Sequence, residues 1–237
     1  MKITTWNCNM AYRNKASFIL TQRPDIVIVP ECEHPDKLKF KPGVPLPKDS
    51  LWSGKNLNKG LGIFSYTNYK FRLHESYRPE FRNVLPVIVT GGNIDFTLFA
   101  IWANNPEDKG YEYIGQVWKA LNFYTGLLEG EKTILAGDFN SNTIWDKLRR
   151  EGNHSTVVAL LENKKIYSTY HRFFNQLQGQ EKHNTLFMYR HRDKAYHIDY
   201  CFASAHFAEK ITKVEVGTHK KWKELSDHTP LTITFDC

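Results

Sequence analysis

Residues 134–142 read ILAGDFNSN. Ile134, Leu135 and Ala136 run up to Gly137, and Asp138 and Asn140 then follow on either side of Phe139. An apolar run of this kind predicts a buried strand. Carboxylates and amides are costly to bury, so the ending needs an explanation. Asp and Asn are common in ordinary turns. The alternative is a strand that delivers polar side chains to a reaction. These few residues fit both readings.

The same ending recurs elsewhere. Residues 25–29 (DIVIV) form a β-branched run suited to a strand buried on both faces, and Glu31 follows after Pro30. Residues 96–103 (FTLFAIWA) end at Asn104 and Asn105, and an opening strand over residues 2–7 ends at Asn7 and Asn9. Further strands are expected at 60–66, 71–77, 84–91, 185–191, 196–204, 210–217 and 229–235. A short helix over 14–22 should stop before Pro24, because the residue before proline avoids helical dihedrals. Ile114, Val117, Trp118, Leu121 and Leu128 recur at helical spacing, which predicts a helix over 111–130 that Gly130 ends. A second helix is expected over 155–165, capped by Ser155 or Asn153. Many strands with few helices predict an α/β fold: a four-layer α/β sandwich, two packed mixed β-sheets flanked by helices. No repeat, low-complexity tract or linker interrupts residues 1–237, so one domain is expected.

Composition narrows the class. With 41% hydrophobic and 24% charged residues, the chain reads as a soluble globular protein. Its apolar runs reach only about half a dozen residues, which predicts no membrane span. The opening MKITTWNCNM lacks the apolar stretch of a secretory signal. Cys8, Cys32, Cys201 and Cys237 are scattered with no CxxC pair, so reduced thiols and a cytoplasmic setting are expected. A net charge of +7 suits a polyanionic partner.

If the strand ends lie on one edge, their polar groups converge on an acidic, amide-lined pocket, and hard oxygen donors are what magnesium needs. In residues 196–204 alternation places His197, Asp199 and Cys201 on one face, and Asp227 and His228 stand just before the last strand. The set in chain order is Asn7, Glu31, Asn105, Asp138, Asn140, Asp199, Asp227 and His228. With these residues the chain resembles the endonuclease/exonuclease/phosphatase superfamily, from TWNCN at 5–9 to SDHTPL at 226–231. The resemblance implies a metal on Glu31 with Asn7 beside it and Asp227 nearby. It implies that Asp138 aims or deprotonates the attacking water and that Asn140 holds that water or a phosphate oxygen. His228 would contact the scissile phosphate, oriented by Asp199, with Asn105 in the same catalytic set. The implied cofactor is Mg2+, with Mn2+ as a substitute. Three positions depart from the family pattern. Pro30 replaces a glutamine, Asn9 replaces an aspartate, which favours one ion over two, and Trp102 replaces a histidine or tyrosine beside the phosphate. Taken singly, Asn7, Asp138 and Asn140 fit turns and His228 fits a surface loop; only their joint convergence argues otherwise. His171, His183 and His191 lack ligand spacing and are expected in exposed loops.

Substrate preference rests on charge. Residues 36–60 carry lysines 37, 39, 41, 48, 55 and 59 with Phe40 and Trp52, in what reads as a loop. Residues 189–194 (YRHRDK) form a basic turn and 219–223 (HKKWK) a third basic segment. Lysines track phosphates and aromatics stack on bases, so Lys55, Lys59, Arg190, Arg192 and Trp102 are the candidate substrate contacts. The expected activity is a metal-dependent phosphodiesterase acting on nucleic acid, DNA ahead of RNA, as a monomer with low sequence specificity and no membrane partner. The alternatives are a phosphatase or phosphodiesterase on a small phosphorylated sugar or lipid headgroup, an RNase or deadenylase-like nuclease, and a non-catalytic nucleic-acid-binding module.

Overall fold

The computed structural model describes residues 1–104 and 110–237. Its strands are β1 (Lys2–Thr5), β2 (Ile26–Cys32), β3 (Asp49–Asn56), β4 (Lys59–Ser65), β5 (Lys70–Leu73), β6 (Val84–Thr90), β7 (Phe96–Trp102) and β8 (Thr133–Asp138). They continue with β9 (Ile166–Ser168), β10 (Leu186–Phe187), β11 (Ala195–Tyr196), β12 (Asp199–Ser204), β13 (Ile211–Val216) and β14 (Leu231–Phe235). The helices are α1 (Ala16–Leu20), α2 (Ile114–Phe123), α3 (His154–Asn163), α4 (Thr169–Phe174), α5 (Ala205–Ala208) and α6 (His219–Trp222).

Two mixed six-stranded sheets form the body, in the orders β13-β14-β1-β2-β4-β3 and β5-β6-β7-β8-β12-β9. Each sheet has one parallel pair near its middle, β1 with β2 and β7 with β8. Ligand crevices in such sheets form beyond the carboxyl ends of parallel strands. Asn7 and Glu31 belong to those ends in one sheet, Trp102 and Asp138 in the other.

Alternation along each strand explains the layers. Ile26 and Ile28 of β2 join Ile3, Leu61, Ile63, Leu98, Ala100, Ile134 and Ala136 in the core between the sheets. Val27 and Val29 face the other way, against Trp6, Tyr12, Ala16, Ile19, Phe64 and Trp222, so α1 and α6 cover that sheet. On the second sheet Phe99, Ile101, Leu135, Tyr200 and Phe202 meet Val117 and Leu121 of α2 and Val157 and Leu161 of α3. The expected four-layer sandwich is the observed fold. Among the described residues, no helix is long and apolar enough to cross a membrane.

Several local expectations are corrected. The helix expected over 111–130 spans only Ile114–Phe123; a 3-10 turn over Thr125–Glu129 follows, keeping Leu128 buried. Thr125 and Gly126 are poor helix formers. The lysine-rich segment is not all loop, since its second half is the edge strand β3, whose Trp52 indole donates to the Cys32 carbonyl at 3.0 Å. Of residues 185–191 only Leu186 and Phe187 are strand, and Tyr189 and Arg190 adopt left-handed dihedrals in the turn that follows. Neither Asn153 nor Ser155 caps α3 through its side chain. Instead the Asp146 carboxylate accepts the His154 and Ser155 amides at 2.9 and 3.1 Å.

His171 is buried rather than exposed, with Nε2 3.0 Å from Glu181 Oε1. It belongs to an internal cluster. His154 bonds Ser141 at 2.8 Å, and His197 Nδ1 donates to the His183 carbonyl at 2.8 Å. Burial lowers both the His154 and His197 pKa values to about 4. In the unfolded chain these rings take a proton near 6.5. The unfolded state therefore binds more protons between pH 6.5 and 4, and stability falls as pH falls through that window. Each ring contributes a loss of roughly 1.4 kcal/mol per pH unit. Urea melts at pH 7.5 and 5.0 should show a lower midpoint at pH 5.0, and a His154→Gln, His197→Gln double variant should flatten the difference. An unchanged midpoint at pH 5.0 rules the effect out.

Candidate active site

Local geometry aims each side chain. Gly137 precedes Asp138 because β7 passes so close that any Cβ would strike the Ile101 carbonyl. Asp138 is then fixed by register: it pairs with Trp102 of β7 and with Asp199 of β12. Its Oδ1 accepts the Asn140 amide at 2.8 Å, which turns the chain, and Asn140 takes a left-handed φ of 48°. Its Oδ2 accepts Asn7 Nδ2 at 3.0 Å, so the polar link crosses from one sheet to the other. Asn140 Nδ2 donates to the Ala103 carbonyl at 3.2 Å.

Glu31 owes its direction to a bulge. The β2–β4 register shifts between Pro30 and Cys32, leaving Glu31 as the extra residue with φ 61°. A bulge re-aims its side chain out of the strand alternation. Glu31 Oε1 lies 3.5 Å from Asn7 Nδ2, and Oε2 lies 3.1 Å from Lys59 Nζ. The Lys59 ammonium also stands 5.6 Å from the centroid of the Trp102 ring.

The third part enters before β14. His228 Nδ1 donates to Asp199 Oδ2 at 2.8 Å. Ser226 donates to the Asn7 carbonyl at 2.8 Å and accepts the His228 amide at 3.0 Å, tying this loop to β1. Asn9 Nδ2 donates to Asp227 Oδ1 at 3.1 Å. Thr185 accepts the Asp199 amide at 3.0 Å.

Seven of the residues expected from the sequence are thus brought together: Asn7, Glu31, Asp138, Asn140, Asp199, Asp227 and His228. Trp102 and Lys59 sit at their border, on Glu31's side. Lys55 is exposed on the β3–β4 hairpin, and Arg190 and Arg192 are exposed on the β10–β11 turn. Asn105 lies outside the described residues. Ser226, Thr185 and Asn9 brace the set. Asn9 and Ser226 stand in the motifs themselves, whereas nothing near Thr185 in the sequence marks it.

Electrostatics divides the labour. Burial, and then the Asp199 charge, raise the Asp138 pKa to about 7 against the opposing pull of His228, Asn7 and Asn140. Burial disfavours charge on His228, but Asp199, aided by Asp138 and Asp227, outweighs it and raises the imidazole to about 10. The neighbouring carboxylates thus favour the charged imidazole. Asp138, Asp199 and His228 offer ligand atoms within 4.8 Å of one another, close enough to share a proton or a metal ion. That trio suits proton handling. The buried Asp199 Oδ1 has no partner among the described residues. A second source of hard-oxygen donors is Glu31 at the edge of the cluster. Its carboxylate attracts an ammonium and is partly exposed to solvent, as a cation ligand must be.

The α/β sandwich thus gathers carboxylates, amides and a histidine at its strand ends. The chain belongs to the endonuclease/exonuclease/phosphatase family, whose sequence pattern matches residues 4–228 and whose members are phosphoric ester hydrolases. No curated protein matches it in sequence. Among solved structures, an AP endonuclease from Archaeoglobus fulgidus superimposes with a TM-score of 0.73 at 17% identity, covering 100% of both chains. A Neisseria 3′ phosphatase bound to product DNA hairpin gives 0.70 at 22% identity, again over 100% of both chains. The AP endonuclease of Leishmania major gives 0.71 at 12% identity, covering 100% of this chain and 87% of that one. At such identities the likeness is one of fold.

Proposed function

We propose that the protein is a magnesium-dependent phosphodiesterase that cuts DNA with low sequence specificity. The observation carrying this reading is the continuous polar chain Glu31–Asn7–Asp138 joined to the His228–Asp199 pair, assembled from strand ends of both sheets. Glu31, with Asn7 and Asp227, would hold the cation, which supplies Lewis-acid neutralisation of the phosphate. Asp138 takes a proton from the attacking water, and Asn140 positions that water or a phosphate oxygen. His228 donates to a phosphate oxygen, and Asp199 keeps the imidazole charged and oriented. The net charge of +7 and the exposed basic turn over 189–194 favour a long polyanion over a small ester. The product DNA hairpin named for the Neisseria structure points the same way.

A substrate panel tests this. Nicked, abasic, 3′-phosphorylated, single- and double-stranded DNA, RNA and a phosphorylated sugar would be incubated with Mg2+, Mn2+ or chelator. DNA cleavage should appear with either metal, vanish with chelator and exceed RNA cleavage. Intact DNA beside a hydrolysed phosphosugar would overturn the nuclease reading.

A further inference from the structure

Lys59, a candidate substrate contact, sits on the carboxylate assigned to the metal. We propose that Lys59 is an exchangeable counter-cation. Its ammonium neutralises Glu31 while the divalent site is empty and gives way when the cation binds, so Lys59 sets the metal affinity of the site. The inference rests on the reading of Glu31 as the principal metal ligand.

Three features of the chain build this arrangement. The bulge at Glu31 turns its side chain toward the start of β4, where Lys59 is the first residue. The Nζ–Oε2 distance of 3.1 Å is that of a direct ion pair. The Trp102 indole, 8% exposed at the end of β7, holds the same ammonium 5.6 Å from its ring centroid. Cation–π attraction operates at that range, and an indole cannot compete as a base or a metal ligand. Trp102 therefore keeps the lysine near Glu31 without tying up an anion.

The exchange follows from charge. A divalent cation and an ammonium on one carboxylate repel each other strongly at a few ångströms. Of the two, Lys59 is the one free to move, because its side chain is 41% exposed on a flexible four-carbon stem. When no divalent cation is bound the ammonium would offset charge: Glu31, Asp138 and Asp227 are all linked through Asn7 and Asn9, and an unpaired carboxylate there would add to their mutual repulsion.

The test measures metal affinity without substrate. Free Mn2+ would be followed by electron paramagnetic resonance during titration of the full chain, as wild type, Lys59→Met, Lys59→Arg and Lys55→Met. Because pairs at this exposure are worth up to about 1 kcal/mol, Lys59→Met should bind Mn2+ about three- to fivefold more tightly. Lys59→Arg should stay within about twofold of wild type, and Lys55→Met, which removes the same charge from the hairpin turn, should change affinity far less. Acylation of Lys59 in the wild type, read by mass spectrometry, should speed up when Mn2+ is added. Equal or weaker binding by Lys59→Met, an equal gain in Lys55→Met, or Lys59 labelling indifferent to Mn2+ overturns the exchange while leaving Glu31 as a metal ligand. If wild type binds no Mn2+ at all, the metal reading falls and takes this inference with it.

Discussion

Asp138→Asn is expected to lower turnover of a DNA phosphodiester by about a thousandfold, within the range that a positioned general base contributes. The variant keeps the size of the side chain and removes the proton acceptor. The wild-type pH profile should carry the matching signature. Asp138 must be ionised to accept a proton, so turnover rises as pH climbs through about 7. His228 must be protonated to donate, so turnover falls as pH passes about 10. A bound cation favours the carboxylate and disfavours the imidazolium, drawing both limbs lower. Asp199→Asn removes the main source of the high His228 value, so its alkaline limb should move down toward that of ordinary imidazole. A turnover within tenfold of wild type in Asp138→Asn, or an alkaline limb that Asp199→Asn leaves in place, would sink these roles.

Gly137→Ala should produce the largest loss of stability for a single methyl group, on the order of 3–5 kcal/mol. An added Cβ meets the Ile101 backbone oxygen, which belongs to the neighbouring strand and cannot rotate away. β7 and β8 would have to separate where Trp102 pairs with Asp138, so activity should fall with stability. Urea unfolding gives the number. A midpoint equal to wild type would mean that the two strands tolerate the spread and that Gly137 has no steric duty.

The two predictions also mark what the sequence reveals. The strands that carry the site were legible because they are continuous apolar runs with abrupt polar endings, and a single backbone period governs both features. Asp138 could be named from that pattern, whereas Asp199 and His228, which stand at or before the starts of their strands, were named from the family resemblance. Partners set by loop geometry could not be named. Lys59 reads as one lysine among six in its segment, and only the hairpin and the Glu31 bulge bring it onto the carboxylate. β3 went unseen because an edge strand needs little apolar alternation, and its serines, glycine and lysine resemble a loop. His171 was misplaced because α4 is too short to show a period, so its inward face left no trace. Asp146 caps α3 from eight residues upstream, a distance that no local capping motif describes.

The first sheet joins β1 to β14, pairing Lys2 with Thr234, and the site draws Asp227 and His228 from the segment just before that last strand. During synthesis, the amino-terminal half therefore waits for its partner strand until nearly every residue of this sequence has left the ribosome. Nascent chains would present Glu31 and Asp138 with no histidine and an unzipped sheet. The proposed catalytic set is therefore completed only when the segment before β14 docks against β1.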